Sequence, residues 1–130
     1  MIYNERGKIE YKNRGKQLVD YSGLRYGNKT PTDVDGYLDF GGKCAVVLEF
    51  KLKGKDVPVG QRIALETFAD GVCFFPVLVI VADHSVYDSK EEIKADSCIV
   101  REYYDGVWHP SERTITVRQF VDQFVREHVQ

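Results

Sequence analysis

The sequence predicts a mixed α/β domain, a sheet with helices packed against it. Two observations carry this reading. Strand-like and helix-like stretches succeed one another in the order helix, two strands, helix, strand, hairpin, helix. Two glycine-bearing turns, Gly41-Gly42 and Asp105-Gly106, each separate a pair of strand-like runs. At 130 residues and 43% hydrophobic, the chain has the size and apolar content of a single domain spanning 1–130.

The elements follow in order. After Met1 the first 20 residues carry only Ile2, Ile9, Leu18 and Val19 as aliphatics, which predicts a loosely amphipathic helix before the turn-rich YSGLRYGNKTPTD. Gly36–Phe40 and Lys43–Leu52 read as antiparallel strands joined at Gly41-Gly42, because glycine tolerates the positive φ that tight turns need. The loop KGKDVPVG leads to a helix over Gly60–Asp70. There Ile63, Ala64, Thr67 and Phe68 recur at helical spacing, and Gly71 is placed to cap the end. VCFFPVLVIVAD reads as a buried strand. Ser97–Tyr104 and Gly106–His109 flank the second turn as a hairpin, and Val117, Phe120, Val121, Phe124 and Val125 mark a final helix from Thr116 onward. The Phe120 and Phe124 stripe suits either core packing or the face of a homodimer.

Composition narrows the classes. The longest apolar run, Val72–Ala82, is about half of what spans a bilayer, and MIYNERGKIEYKNRGK lacks the apolar centre of a signal peptide, so no membrane role and a soluble intracellular protein are expected. Cys44, Cys73 and Cys98 show no CxxC spacing and stand in apolar surroundings, which predicts buried, reduced thiols. The net charge of −2 hides an asymmetry: residues 1–62 hold 12 Lys+Arg against 8 Asp+Glu, and residues 63–130 hold 6 against 12. A basic face for an anionic partner such as DNA, with an acidic back, is compatible with this split. GLRYGNKT is not a phosphate-binding P-loop, because Asn28 separates the glycine from Lys29 and Pro31 blocks the helix that should follow.

The second strand of the first hairpin raises a chemical question. Its run Val46-Val47-Leu48-Glu49-Phe50-Lys51 puts two charges where burial should continue. Alternation places Glu49 and Lys51 on one face with Val47 and Ala45. A three-residue loop, Gly41-Gly42-Lys43, would set Asp35 directly opposite Glu49, whereas a two-residue turn would put them on opposite faces. The first register is favoured because a divalent cation and a nearby lysine would relieve the repulsion between two adjacent carboxylates.

An acid on one strand, Glu-x-Lys on the next and a glutamine early in the following helix resemble the PD-(D/E)XK nuclease superfamily. The pieces here are TDVDG, LEFK and GQRIALE. The run from about residue 17 to 70 is more closely similar to small uncharacterised proteins of phages and prophages. The resemblance implies a restriction-endonuclease-like mixed sheet flanked by helices, with the C-terminal hairpin and helix as additions. It implies a Mg²⁺- or Mn²⁺-dependent deoxyribonuclease in the cytoplasm of a bacterial host, acting on DNA that is branched or being processed. Asp35, Glu49 and the Phe50 carbonyl would be metal ligands, Lys51 would orient the attacking water and stabilise phosphate charge, and Gln61 would support that geometry. Hard oxygen ligands suit Mg²⁺ or Mn²⁺, and no His or Cys cluster invites zinc.

This chain departs from the family pattern in two places. Thr32, not proline, precedes the first acid, and the acid is doubled, so Asp33 competes with Asp35 as ligand. A first-helix carboxylate would be Glu10, with Glu5 and Asp20 as rivals. Arg25, Lys29 and Lys53 are the cations that would touch DNA phosphates, the alternative being simple solvation. Two other functional classes remain open: a catalytically silent nucleic-acid-binding module, and a phage protein that binds a host protein through its acidic half.

Overall fold

The computed structural model describes residues 20–29, 31–88 and 91–129. The chain divides into two compact units, Met1–Pro31 and Thr32–Gln130. In the first, the described part is a 3-10 turn at Ser22–Leu24 and a tight turn in which Tyr26 and Lys29 exchange backbone hydrogen bonds of 2.8 and 3.1 Å. The helix expected at the N-terminus falls on residues 1–19, outside those described.

The second unit is a mixed α/β fold. Its elements are β1 (Gly36–Asp39), β2 (Ala45–Leu52), α1 (Val59–Gly71), β3 (Val77–His84), β4 (Ile99–Tyr104), β5 (Trp108–Pro110) and α2 (Val117–His128). The five strands form one sheet in the order β1-β2-β3-β4-β5. Strands β2 and β3 run parallel, joined through α1, and every other neighbouring pair is antiparallel.

Strand alternation divides the core between the two faces. On one face Ala45, Val47, Val77, Val79 and Tyr104 pack against Leu65 and Ala69 of α1. On the other, Val46, Leu48, Leu78, Ile80, Ala82 and Val100 pack against Val117 and Val121 of α2. With both faces covered, β2 and β3 read as nearly continuous apolar runs. Val46, Val47, Val79, Ile80 and Val81 are almost completely buried, each contributing roughly 1.5–3 kcal/mol of transfer free energy. Thr116 opens α2 with a capping box, its hydroxyl accepting from the Gln119 N–H at 3.2 Å while its own N–H donates to Gln119 Oε1 at 3.0 Å.

The first hairpin adopts the register with the three-residue loop. Gly36 faces Leu48 and Asp39 faces Ala45. Gly41 and Gly42 take φ values of 64° and 75°, and the loop closes with Phe40 N–H on Cys44 O at 3.0 Å and Lys43 N–H on Phe40 O at 3.2 Å. Between Val81 and Ala82 the pairing of β3 with β4 shifts by one residue. Val81 pairs with Glu102 and Ala82 with Val100, leaving Arg101 as the extra residue of a bulge.

Several expectations need correction. The strand expected from Val72 begins only at Val77, because the Pro76 ring offers no N–H for the ladder. Cys73 and Phe74 therefore lie in the preceding loop, both exposed, so only Cys44 and Cys98 are buried thiols. Gly71 is the last residue of α1, not a left-handed cap beyond it; its φ is not positive, and the chain leaves the helix at Val72 in extended conformation. Residues 95–97 form a 3-10 turn, so β4 starts at Ile99, not Ser97. Among the described residues no helix is long and apolar enough to cross a membrane.

Candidate functional site

The residues named for chemistry in the second unit meet near the carboxyl ends of the parallel strands β2 and β3. Ligands of open α/β sheets characteristically bind at such ends. The apolar segment Ala45–Leu48 carries β2 through the core, and Glu49 continues it on the α1 side with only 3% of its surface exposed. Two residues on, Lys51 projects from the same face, and its Nζ lies 3.4 Å from Glu49 Oε1.

Asp35 reaches this point from the other side of the hairpin. It stands immediately before β1, and the register observed for Gly36–Asp39 sets it opposite Glu49. Its Oδ2 accepts the Phe50 N–H at 2.8 Å. In an antiparallel ladder the N–H and C=O of one residue point to the same side, so the Phe50 carbonyl also faces the β1 edge where Asp35 sits. The Phe50 ring packs into the opposite, α2-side core. Asp33 is exposed, upstream of this hydrogen bond.

Glu49 is electrostatically unusual. Burial pushes its carboxyl above the ordinary glutamate value, and the Asp35 charge pushes it further; Gln61, from the first turn of α1, and Lys51 pull it back in part. Its Oε2 is buried and has no hydrogen-bond partner among the described residues. A buried acceptor without a partner costs about 1–3 kcal/mol, which a cation at that oxygen would offset. Asp35, Glu49 and the Phe50 carbonyl are hard oxygen donors, the type that suits Mg²⁺ or Mn²⁺. Among the described residues no group of three or more His, Cys, Asp and Glu side chains forms a metal cage. A cation here would keep several waters or substrate oxygens, as Mg²⁺ usually does.

The remaining residues named from the sequence fall in the turn after β2, in the first unit or outside the described chain. Lys53 is exposed in the turn after β2, its N–H donating to His84 O at 2.9 Å. In the first unit, Arg25 is exposed and donates from Nε to Gly27 O at 3.0 Å, and Lys29 is exposed in the Tyr26 turn. Asp20 accepts the Ser22 N–H at 2.9 Å as a local turn. Glu5 and Glu10 fall outside the described residues.

Two further ion pairs, which no motif in the sequence announces, stand on the same sheet face. Asp83, paired with Lys51 across the parallel register, binds Arg101 of the bulge. Arg62 of α1 binds Glu102, and its guanidinium lies 4.1 Å from the centre of the Trp108 ring. The signal for them was the adjacent pair Arg101-Glu102 inside a strand, where alternation would send one charge into the core. Comparison with protein-family models, curated proteins and solved structures finds no match for the chain.

Proposed function

We propose that this protein is a divalent-metal-dependent nuclease of the restriction-endonuclease-like type that hydrolyses phosphodiesters in DNA. The observation that carries the reading is the meeting of Asp35 with Glu49, whose buried Oε2 has no partner among the described residues, beside the Lys51 ammonium. The order acid, Glu-x-Lys, helix-borne glutamine is that of the PD-(D/E)XK superfamily, and the β1-β2-α1-β3 arrangement supports it.

Asp35, Glu49 and the Phe50 carbonyl would hold Mg²⁺ or Mn²⁺, which when bound neutralises the anionic phosphodiester and supplies an acidified water. The chain's own groups do the rest. Phe50 N–H fixes the Asp35 carboxylate against β2, so that it meets Glu49 without a search through rotamers. Lys51 places a compact positive charge beside the two acids, where negative charge grows on the phosphate in the transition state. Gln61, turned toward Glu49 from α1, orients that carboxylate. Lys53 is an exposed cation on the loop that follows, available to a substrate phosphate.

The test is cleavage of linear, single-stranded and four-way-junction DNA by the purified protein with Mg²⁺, with Mn²⁺ and with EDTA. Metal-dependent cleavage by the wild type, lost in Glu49→Gln, is the expected result. DNA binding without cleavage in either metal would favour a silent nucleic-acid-binding module; neither binding nor cleavage would overturn the reading.

A further inference from the structure

Lys51 has two carboxylates within its neighbourhood. Glu49 precedes it on β2, and Asp83 is its partner across the parallel pairing with β3. Paired residues of parallel strands project to the same face, and adjacent strands lie about 4.8 Å apart, so Asp83 is as well placed for the ammonium as Glu49 is. The ammonium nevertheless pairs with Glu49, at 3.4 Å.

The bulge in β4 accounts for that choice. With an unbroken register, Arg101 would oppose Ala82, whose side chain lies in the α2-side core. The one-residue shift instead gives Val100 that core position and turns Arg101 to Asp83. There its Nε and Nη2 lie 2.7 and 2.6 Å from Asp83 Oδ1, and Nη2 also lies 3.5 Å from the Leu52 carbonyl at the end of β2. A guanidinium's planar fork matches a carboxylate, and this pair is about three-quarters buried, so screening by water is reduced.

We infer that Arg101 is a positioning residue: by occupying Asp83 and tying the end of β2, it leaves Lys51 committed to Glu49. This rests on the nuclease reading of Lys51. Arg101 acts through Asp83 and Lys51 and makes no contact with substrate. Its removal would release Asp83 as a competing anion and draw the ammonium away from the reacting phosphate.

The experiment compares Arg101→Ala, Arg101→Ala/Asp83→Asn and wild type in steady-state cleavage, with Mn²⁺ affinity by calorimetry and crystal structures of the variants. For Arg101→Ala the expectation is a loss in kcat on the order of tenfold to a hundredfold, as for a misplaced catalytic group. KM and Mn²⁺ affinity should stay close to wild type, and Lys51 Nζ should shift toward Asp83. The double variant should recover most of kcat, because an amide does not compete for the ammonium, although it lacks the ion pair altogether. Unchanged kcat in Arg101→Ala, a loss confined to KM, or a double variant as slow as the single one would overturn the inference. If wild type shows no metal-dependent cleavage, the nuclease reading fails instead. The position of Lys51 in the Arg101→Ala crystals then decides the inference by itself, an ammonium still on Glu49 overturning it. Should Arg101→Ala not fold, Arg101→Gln keeps the stem and loses the charge, and the same outcomes apply.

Discussion

Replacing Glu49 by glutamine should make the metal-free protein more stable at neutral pH and the metal-loaded protein less stable than wild type. The first half follows from the direction in which the fold moves this carboxyl. Burial and the Asp35 charge raise it, against smaller opposite effects of Gln61 and Lys51. The native state therefore binds the Glu49 proton more tightly than the unfolded chain does. Stability owed to that proton is complete below the unfolded glutamate value, about 4.3, and is lost as pH rises through the raised native value. Glutamine has nearly the same shape and never ionises, so the variant escapes this loss.

The size of the effect comes from charge at Oε2, which is buried without a partner among the described residues; glutamine keeps a polar atom there but no charge. An unsatisfied buried polar group costs about 1–3 kcal/mol and more when it is charged; the amide removes only that excess, and losing the Lys51 contact offsets part of the gain, leaving about 1 kcal/mol. For a domain of roughly 100 residues that is an increase in Tm of about 4–8 °C. In EDTA, calorimetric unfolding should show this difference at about pH 7.5 and little of it at about pH 4. Manganese should then reverse the order, because a ligand at a hundredfold excess over its Kd stabilises the protein that binds it by about 2.7 kcal/mol. A variant less stable than wild type in EDTA at both pH values, or one stabilised equally by Mn²⁺, would refute the argument.

Other changes test other steps. Lys51→Ala should retain Mn²⁺ and DNA binding yet lose cleavage on the order of 10² to 10³, and Lys51→Arg should not restore it fully, because a planar guanidinium carries its charge further out; single-turnover assays and gel shifts separate the two. Gly42→Ala forces a side chain into the positive φ of the first hairpin loop and should cost roughly 1–2 kcal/mol, read as a lower denaturant midpoint with unchanged slope. Thr116→Ala removes the cap of α2 and should cost about 1 kcal/mol by the same measurement. The Tyr104 hydroxyl donates to Asp70 at 2.7 Å, and that bond, with burial and nearby acidic charges, pushes the phenol up to about 12. Ultraviolet titration should show a late phase for Tyr104, and Asp70→Asn should bring it down.

The register of the first hairpin was legible because chemistry and turn geometry agreed. Two glycines allow the positive φ of the loop, and setting Asp35 opposite Glu49 gives two otherwise misplaced acids a shared purpose. Hydropathy alone misled elsewhere. Cys73 and Phe74 belong to an apolar run that predicts burial, but a run says nothing about where backbone pairing starts, and Pro76 is the residue that does. The bulge is the harder case, since an extra residue in one strand depends on which partner residues it opposes, information no single strand carries. Its trace was nevertheless present in Val100-Arg101-Glu102-Tyr103. A regular strand with buried faces on both sides has no place for two consecutive charges, because one must enter an apolar core at a cost of several kcal/mol. The chain must then end the strand, pair the charge inside, or slip by one residue. Tyr103 and Tyr104 continue the pairing and rule out the first, while Arg101 and Glu102 each find an opposite charge on the α1 face, which only the slip allows.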